Sequence, residues 1–309
     1  MRGAFVRGLV EIARRDDRVM LLTADLGFMA LEPFSEAYPD RYLNVGVAEQ
    51  DMVGIACGLA EAGFLPFCYS IATFASMRGY EFIRNAAVLH RLPVRMVGVG
   101  GGFEYGPAGG SHHGLEDVAL MRVQPGITVI APADYRQTLA ALDATWNLHG
   151  PVYYRIGKDD RREVPGLDGR FELGRVEVLG SGDHLLLLAS GSVATEVAAA
   201  AEKLAALGVS CTMGIVSTLN PAPTESLGRL LRDFPVAITV EAHSINGGLG
   251  SLVSEVIAEN RIACQAVRVG VSGHASGVTG SEHYLLKRHG LDRDSLTAKA
   301  LDVLAGTFA

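Results

Sequence analysis

One acidic side chain stands between an apolar, strand-like run and an apolar helical run. Glu49 lies within NVGVAEQDM, residues 44–52, and its immediate neighbours are small or apolar. A carboxyl held there is poorly solvated, which disfavours its charged form and suits hydrogen bonding to a weakly basic ring nitrogen. The alternative is a first-turn acid that the helix macrodipole favours and that remains in water. The spacing alone leaves both interpretations open.

Histidine and cysteine are the residue types that would bind a metal. His112 and His113 are adjacent, and neighbours in extended chain face opposite ways, so a shared metal ion is not expected. A structural histidine hydrogen-bonded in a glycine-rich loop is the competing interpretation. The four cysteines lie in apolar surroundings without CxxC spacing: Cys57, Cys68, Cys211 and Cys264. We therefore expect no zinc site and no disulfide framework, as is usual in a reducing cytoplasm.

Composition excludes several classes of protein. The chain has 309 residues, of which 49% are hydrophobic, and a net charge of −7. This negative charge argues against binding to nucleic acid and against binding to a membrane through a polybasic surface. No apolar run reaches the roughly 18 residues of a membrane span. A cytoplasmic protein with room for two domains is the expectation.

The chain alternates apolar strand-like runs with helical periodicity. Such alternation predicts βα units and a mainly parallel sheet, that is, an α/β fold. The first half is expected to have buried strands at residues 19–22, 42–45, 64–70, 94–100, 127–131 and 152–155, with helices near 4–15, 50–62, 74–90 and 134–148. The second is expected to have strands at 185–189, 210–213, 236–241 and 266–269, and a helix over 193–208.

A charged, glycine-rich stretch between the two series predicts a linker. We divide the chain into a first domain at residues 1–160, a linker at 161–180 and a second domain at 181–309. Both domains are expected to be doubly wound, with helices on both faces of the sheet.

Several segments, in order along the chain, resemble the transketolase family, and in particular its short, split C-terminal subunits. The matching segments are TADL at 23–26, GVAEQDMVGIACGLAEAG at 46–63, SHHGLED at 111–117, PVYYRIGK at 151–158, VEAH at 240–243 and GGLG at 247–250. The resemblance implies a thiamine-diphosphate pyrimidine-binding domain followed by a transketolase C-terminal-like domain. It also implies transfer of a two-carbon ketol unit between sugars or sugar phosphates.

The resemblance assigns four residues to the cofactor. Glu49 matches the glutamate that bonds the aminopyrimidine ring and activates the cofactor, and Phe74 matches the ring that stacks on it. Ile71 stands in the pocket wall where many relatives have a second phenylalanine. Asp25 matches a position near the cofactor, although an exposed acid at a strand end fits equally well.

Three further residues are assigned to the substrate. His112 resembles the histidine that touches substrate hydroxyls and helps to move protons. Arg2 and Lys158 match cations that hold a sugar phosphate, although each could also be a solvated surface charge. Ala108 stands near the position where full-length sugar-phosphate transketolases have an aspartate that reads a substrate hydroxyl. Substrates other than the common pentose phosphates are therefore compatible with this loop.

The family's diphosphate-binding signature, GDG followed by a downstream asparagine, does not occur in the sequence. We therefore expect a separate subunit to carry the diphosphate domain and to bind most of the Mg²⁺ (or Ca²⁺). The expected assembly is α2β2, in which two copies of this chain pair. The chain alone should bind thiamine diphosphate weakly or not at all.

Other classes remain as alternatives. The β subunit of a 2-oxo-acid dehydrogenase has similar domains and a comparable glutamate, and a non-catalytic regulatory subunit could keep the same fold. A 1-deoxyxylulose-phosphate synthase fits less well, because it carries three domains in one chain. A nicotinamide-binding protein would need GxGxxG after its first strand, which is missing.

Overall fold

Two β-sheets form the frame of the protein. The computed structural model describes residues 1–273 and 277–307. The first sheet has seven strands in the order β10-β5-β6-β4-β3-β1-β2, and the second has five in the order β12-β11-β8-β9-β7. The strands are β1 Val19–Thr23, β2 Tyr42–Asn44, β3 Leu65–Ile71, β4 Arg95–Val99, β5 Thr128–Ile130, β6 Val152–Ile156, β7 Glu177–Leu179, β8 Leu185–Ser190, β9 Cys211–Ile215, β10 Thr218–Asn220, β11 Val236–Ser244 and β12 Gln265–Val271.

Helices follow most of the strands. They are α1 Arg2–Arg15, α2 Glu32–Ala37, α3 Glu49–Glu61, α4 Ala72–Met77, α5 Tyr80–Phe82, α6 Asp117–Arg122, α7 Tyr135–Thr145, α8 Ala194–Ala206, α9 Thr224–Arg232, α10 Leu249–Glu259, α11 Glu282–Arg288 and α12 Arg293–Thr307. A π-helical segment covers Ile83–Val88, and 3₁₀ turns cover Pro39–Arg41, Gly106–Ala108 and Gly110–His112. Within the described residues, no helix has both the length and the apolar character needed to cross a membrane.

The expected α/β class with mainly parallel sheets is confirmed. All described strand pairs are parallel except β10 with β5 and β7 with β9. Strand β3 is an interior strand that pairs with β1 and β4. It is buried at all seven positions, which explains its almost continuous apolar sequence.

Two local expectations need correction. The segment at 42–45 does form a strand, but β2 is an edge strand with Leu43 and Asn44 exposed. The single helix expected over 74–90 is instead broken into α4, α5 and the π segment. Within the predicted linker at 161–180, Val164 and Leu167 are buried, and β7 pairs with β9 in the second sheet.

The two halves are joined by more than the linker. Strand β10, from the second half of the sequence, pairs antiparallel with β5 of the first sheet. Arg155 at the end of β6 donates to the carbonyl oxygen of Ala242 in β11 at 2.9 Å. The carboxyl ends of the parallel strands in the first sheet therefore face loops that the second half helps to hold.

Candidate active site

Helix α3 begins at Glu49, whose side chain is only 2% exposed. The helix is anchored by Met52, Val53 and Ala56, which are buried against the sheet. Ser70 Oγ donates to Glu49 Oε1 at 3.2 Å, and Arg78 Nη1 donates to Oε2 at 2.7 Å. The carboxyl is therefore buried, and the exposed first-turn alternative does not describe it.

Phe74 and Arg78 project from the same side of α4, because they are four residues apart on the helix. The Arg78 guanidinium carbon lies 4.0 Å from the centre of the Phe74 ring. The same guanidinium pairs with Glu49, so one side chain links the carboxyl to the aromatic ring. Arg78 was missed by the sequence reasoning, although its spacing from Phe74 is visible in the sequence.

Glycine at position 79 lets the turn after α4 approach the start of α3. A Cβ on Gly79 would lie 2.9 Å from Val53 Cγ2 and 3.3 Å from the carbonyl oxygen of Glu49. A Cβ there would require the Val53 methyl group to shift and the Glu49 carbonyl oxygen to move by a few tenths of an ångström. The glycine therefore permits close packing of this turn on the start of α3, beside the residue pair of Arg78 and Glu49.

The two adjacent histidines diverge. The His112 ring meets the Phe74 ring edge-on, with centroids 5.0 Å apart, and its Nδ1 lies 3.0 Å from Ser111 Oγ. His113 is buried on the other side, with Nε2 3.3 Å from the carbonyl oxygen of Gly106. No group of three or more metal-ligating side chains occurs in the part of the chain that the structure describes.

A buried ion pair supports the histidine loop. Arg155 Nε lies 2.9 Å from Asp117 Oδ2, and Arg155 Nη2 donates to the carbonyl oxygen of Gly114 at 2.9 Å. Tyr153 OH donates to the same carboxylate oxygen at 2.8 Å. Burial raises the pKa of Tyr153 well above its usual value, and the Asp117 charge adds to this shift. These bonds fix the backbone two residues after His112.

Arg2 and Lys158 line one cleft of about 720 Å³. Lys158 Nζ donates to the carbonyl oxygen of Glu104 at 3.1 Å and lies 4.1 Å from the centre of the Tyr105 ring. Arg2 takes part in no ion pair within residues 1–273 and 277–307. Both cations therefore face the same open space.

Four acids also line this cleft, and one of them, Glu282, comes from the other half of the protein. Glu282, at the start of α11, pairs with Arg162 at 3.2 Å. Burial raises the pKa of Glu282 to about 7, the nearby charge of Glu104 adds to the rise, and Arg162 opposes it. The residues around Glu282 in the sequence did not indicate that it would line this cleft.

Contacts connect most of the expected site residues into one row. Lys158 contacts the Tyr105 ring, and the Tyr105 and His112 ring centroids are 6.4 Å apart. The His112 ring contacts the Phe74 ring. Arg78 contacts Phe74 and pairs with Glu49, which completes the series. We call these six residues the site row.

Two expected residues lie beside the site row. Ile71 is the last residue of β3, is 7% exposed and directly precedes α4. Asp25 is exposed after β1 with φ of +56°, and its carboxylate accepts from Asn44 Nδ2 at 3.0 Å. Within the described residues, no hydrogen bond or ion pair joins Asp25 to the site row.

The fold and the site row define an α/β protein with a buried acid, an aromatic ring and a histidine at the carboxyl ends of parallel strands. The family described as "Transketolase, pyrimidine binding domain" matches residues 1–163, and "Transketolase, C-terminal domain" matches residues 174–296. The chain belongs to the transketolase family. The resemblance noted from the sequence is thereby confirmed.

Individual relatives cover nearly the whole chain. An apulose-4-phosphate transketolase subunit of Actinobacillus succinogenes is 34% identical over 287 residues, covering 93% of this chain and 92% of its own. The 6-deoxy-6-sulfo-D-fructose transketolase subunit SqwH of Clostridium sp. (strain MSTE9) is 35% identical over 304 residues, covering 98% and 94%. A solved structure described as "Split gene transketolase, inactive beta4 tetramer" matches with a TM-score of 0.87 and 34% identity, covering 98% of this chain and 97% of that chain.

Proposed function

We propose that this chain is a subunit of a thiamine-diphosphate-dependent transketolase, which transfers a two-carbon ketol unit between sugars or sugar phosphates. The observation that carries the proposal is the Glu49 carboxyl, 2% exposed and linked through Arg78 to the face of Phe74. A buried acid beside an aromatic face suits a flat, nitrogen-containing ring.

The residues present fit the aminopyrimidine end of that cofactor. The guanidinium of Arg78 is itself a planar group with N–H donors, and it lies between Glu49 and Phe74 at 2.7 Å and 4.0 Å. The same space and the same partners suit a planar ring that donates to a carboxylate. When bound, thiamine diphosphate supplies the carbanion chemistry that amino-acid side chains lack.

Glu49 would share or hold a proton at the ring nitrogen through Oε2, while Ser70 orients the carboxyl through Oε1. Its position on the first turn of α3 is fixed by buried side chains, so little reorganisation is needed. Phe74 would stack on the ring, and Ile71 would close the pocket wall. Asp25 lies at the neighbouring strand end and is proposed only as a residue near the cofactor.

The substrate would meet the other end of the site row. His112 would contact substrate hydroxyls and move protons, since its half-buried ring is held against Phe74. Arg2 and Lys158 would hold an anionic end group through charge-assisted hydrogen bonds. The names of two relatives support this, because one substrate name contains a phosphate and the other a sulfo group.

The diphosphate and its metal ion would be held by a separate subunit. We infer an α2β2 assembly in which the partner binds most of the Mg²⁺ or Ca²⁺. The names of these two relatives support this, because both are described as subunits of a transketolase. So does the related split-gene protein, whose β4 tetramer is described as inactive.

Reconstitution with a subunit that carries the diphosphate domain tests the proposal. The assembled pair, with thiamine diphosphate and Mg²⁺, is offered a panel of phosphorylated, sulfonated and neutral ketoses with aldose acceptors. Transfer of a two-carbon unit is expected. Decarboxylation of pyruvate or a branched 2-oxo acid, without ketol transfer, would instead identify a 2-oxo-acid dehydrogenase subunit. Absence of both activities would favour a regulatory subunit.

A further inference from the structure

Arg78 satisfies both of the contacts that the proposed function assigns to the aminopyrimidine ring. Its Nη1 donates to Glu49 Oε2 at 2.7 Å, and its guanidinium carbon lies 4.0 Å from the centre of the Phe74 ring. We propose that Arg78 is a placeholder: it covers Phe74 and neutralises Glu49 in the cofactor-free chain, and it must leave when the cofactor binds. This inference rests on the proposed function.

The position of Arg78 on the fold permits such a movement. It directly follows the last residue of α4, and its side chain is 45% exposed, whereas Glu49 is 2% exposed. A long side chain at a helix end can change rotamer without disturbing the core. The Glu49 side chain is therefore held in place, whereas the Arg78 side chain is free to change its rotamer.

The charge of Glu49 explains why a placeholder is useful. A buried carboxylate without a partner is costly, and an arginine is always charged and therefore always able to compensate it. Ser70 contributes one neutral hydrogen bond at 3.2 Å, and among residues 1–273 and 277–307 Arg78 is the charged side chain that pairs with Glu49. The ring face of Phe74 gains a cation–π contact at the same time.

Competition for the same carboxylate oxygen and the same ring face has a measurable consequence. The apparent affinity for the cofactor is reduced by the fraction of chains in which Arg78 has vacated the site. The opposing model is that Arg78 stays in place and positions Glu49 after the cofactor has bound. Removal of Arg78 should then weaken cofactor binding instead of tightening it.

The test uses the complete reconstituted pair and isothermal titration calorimetry with thiamine diphosphate at saturating Mg²⁺. The variants are Arg78→Ala and Arg78→Gln, which keeps a polar side chain without the charge. The control is Arg84→Ala, because Arg84 is an exposed arginine six residues further along the chain, in the π-helical segment, and donates to Asn85. Thermal unfolding followed by circular dichroism verifies that each variant is folded.

We expect both Arg78 variants to bind the cofactor about 3- to 30-fold more tightly, the range for loss of one half-exposed ion pair and one cation–π contact. Arg84→Ala should bind as the unmodified pair does. Unchanged or weaker binding by either folded Arg78 variant overturns the placeholder role and favours positioning. If Arg78→Ala does not fold, Arg78→Gln alone decides.

Glu49→Gln separates this inference from the proposed function. If the unmodified pair binds thiamine diphosphate and Glu49→Gln weakens that binding, the proposed site stands, and the Arg78 variants test the placeholder alone. If the unmodified pair does not bind the cofactor, or Glu49→Gln leaves its affinity unchanged, both the proposed site and the placeholder are overturned.

Discussion

Replacing Asp117 by asparagine should test whether the buried pair with Arg155 secures the histidine loop. The Asp117 and Arg155 side chains are 0% and 6% exposed, and their Oδ2 and Nε atoms are 2.9 Å apart. Arg155 also donates to carbonyl oxygens of Gly114 and Ala242, so the pair connects the loop to the second half of the chain. Asp117→Asn leaves the arginine charge buried without a counter-charge.

Breaking a buried pair costs about 3–5 kcal/mol, and asparagine retains an acceptor, so we expect about 3 kcal/mol. For a denaturant slope of roughly 3 kcal/mol per M, the urea midpoint falls by about 1 M. The assay is urea unfolding followed by far-UV circular dichroism.

The matched control is Asp143→Asn, which breaks a surface pair. Arg15 Nη2 and Asp143 Oδ1 are 2.7 Å apart, but their side chains are 50% and 67% exposed. Such pairs contribute about 0–1 kcal/mol, so the midpoint should hardly move. If Asp117→Asn loses no more stability than Asp143→Asn, the buried pair does not secure the loop as described.

Two further predictions concern Gly79 and Glu282. Gly79→Ala should lose about 1–3 kcal/mol of unfolding free energy, because its Cβ would lie 3.3 Å from the Glu49 carbonyl oxygen. Gly58→Ala, in open space on the same helix as Glu49, should be neutral or stabilising, and equal losses in the two variants would refute the close approach. The raised pKa of Glu282, about 7, means that the folded protein holds its proton over a range where the unfolded chain has lost it. Stability from this group should therefore fall as pH rises from about 4.5 to 7, and Glu282→Gln should flatten that part of a plot of urea midpoint against pH. An unchanged slope would contradict this.

The elements that are best predicted from the sequence are those whose apolar pattern follows directly from their burial. Strand β3 and helix α3 were found from apolar runs and 3.6-residue periodicity, and Glu49 was recognised at the start of α3. The small, apolar neighbours of Glu49 left a buried and an exposed carboxyl both open, and only the structure shows that the carboxyl is buried.

Other features depend on which segments meet in space. Strand β10 is three residues long and pairs antiparallel with β5 across 88 positions of sequence, from Thr218 to Ile130. No local pattern encodes that partner. Arg78 was missed for the same reason, since its partner Glu49 is 29 positions away in the sequence and the two side chains meet only in the folded chain.

The central claim is that the buried carboxyl of Glu49 activates the cofactor. The most direct measurement is kcat for ketol transfer by the reconstituted pair with Glu49→Gln, beside Glu61→Gln, which changes an exposed acid at the other end of α3. We predict a loss of about 10²–10⁴-fold for Glu49→Gln, the range for a positioned proton-transfer group, and a native rate for Glu61→Gln. A native rate for folded Glu49→Gln would contradict the account.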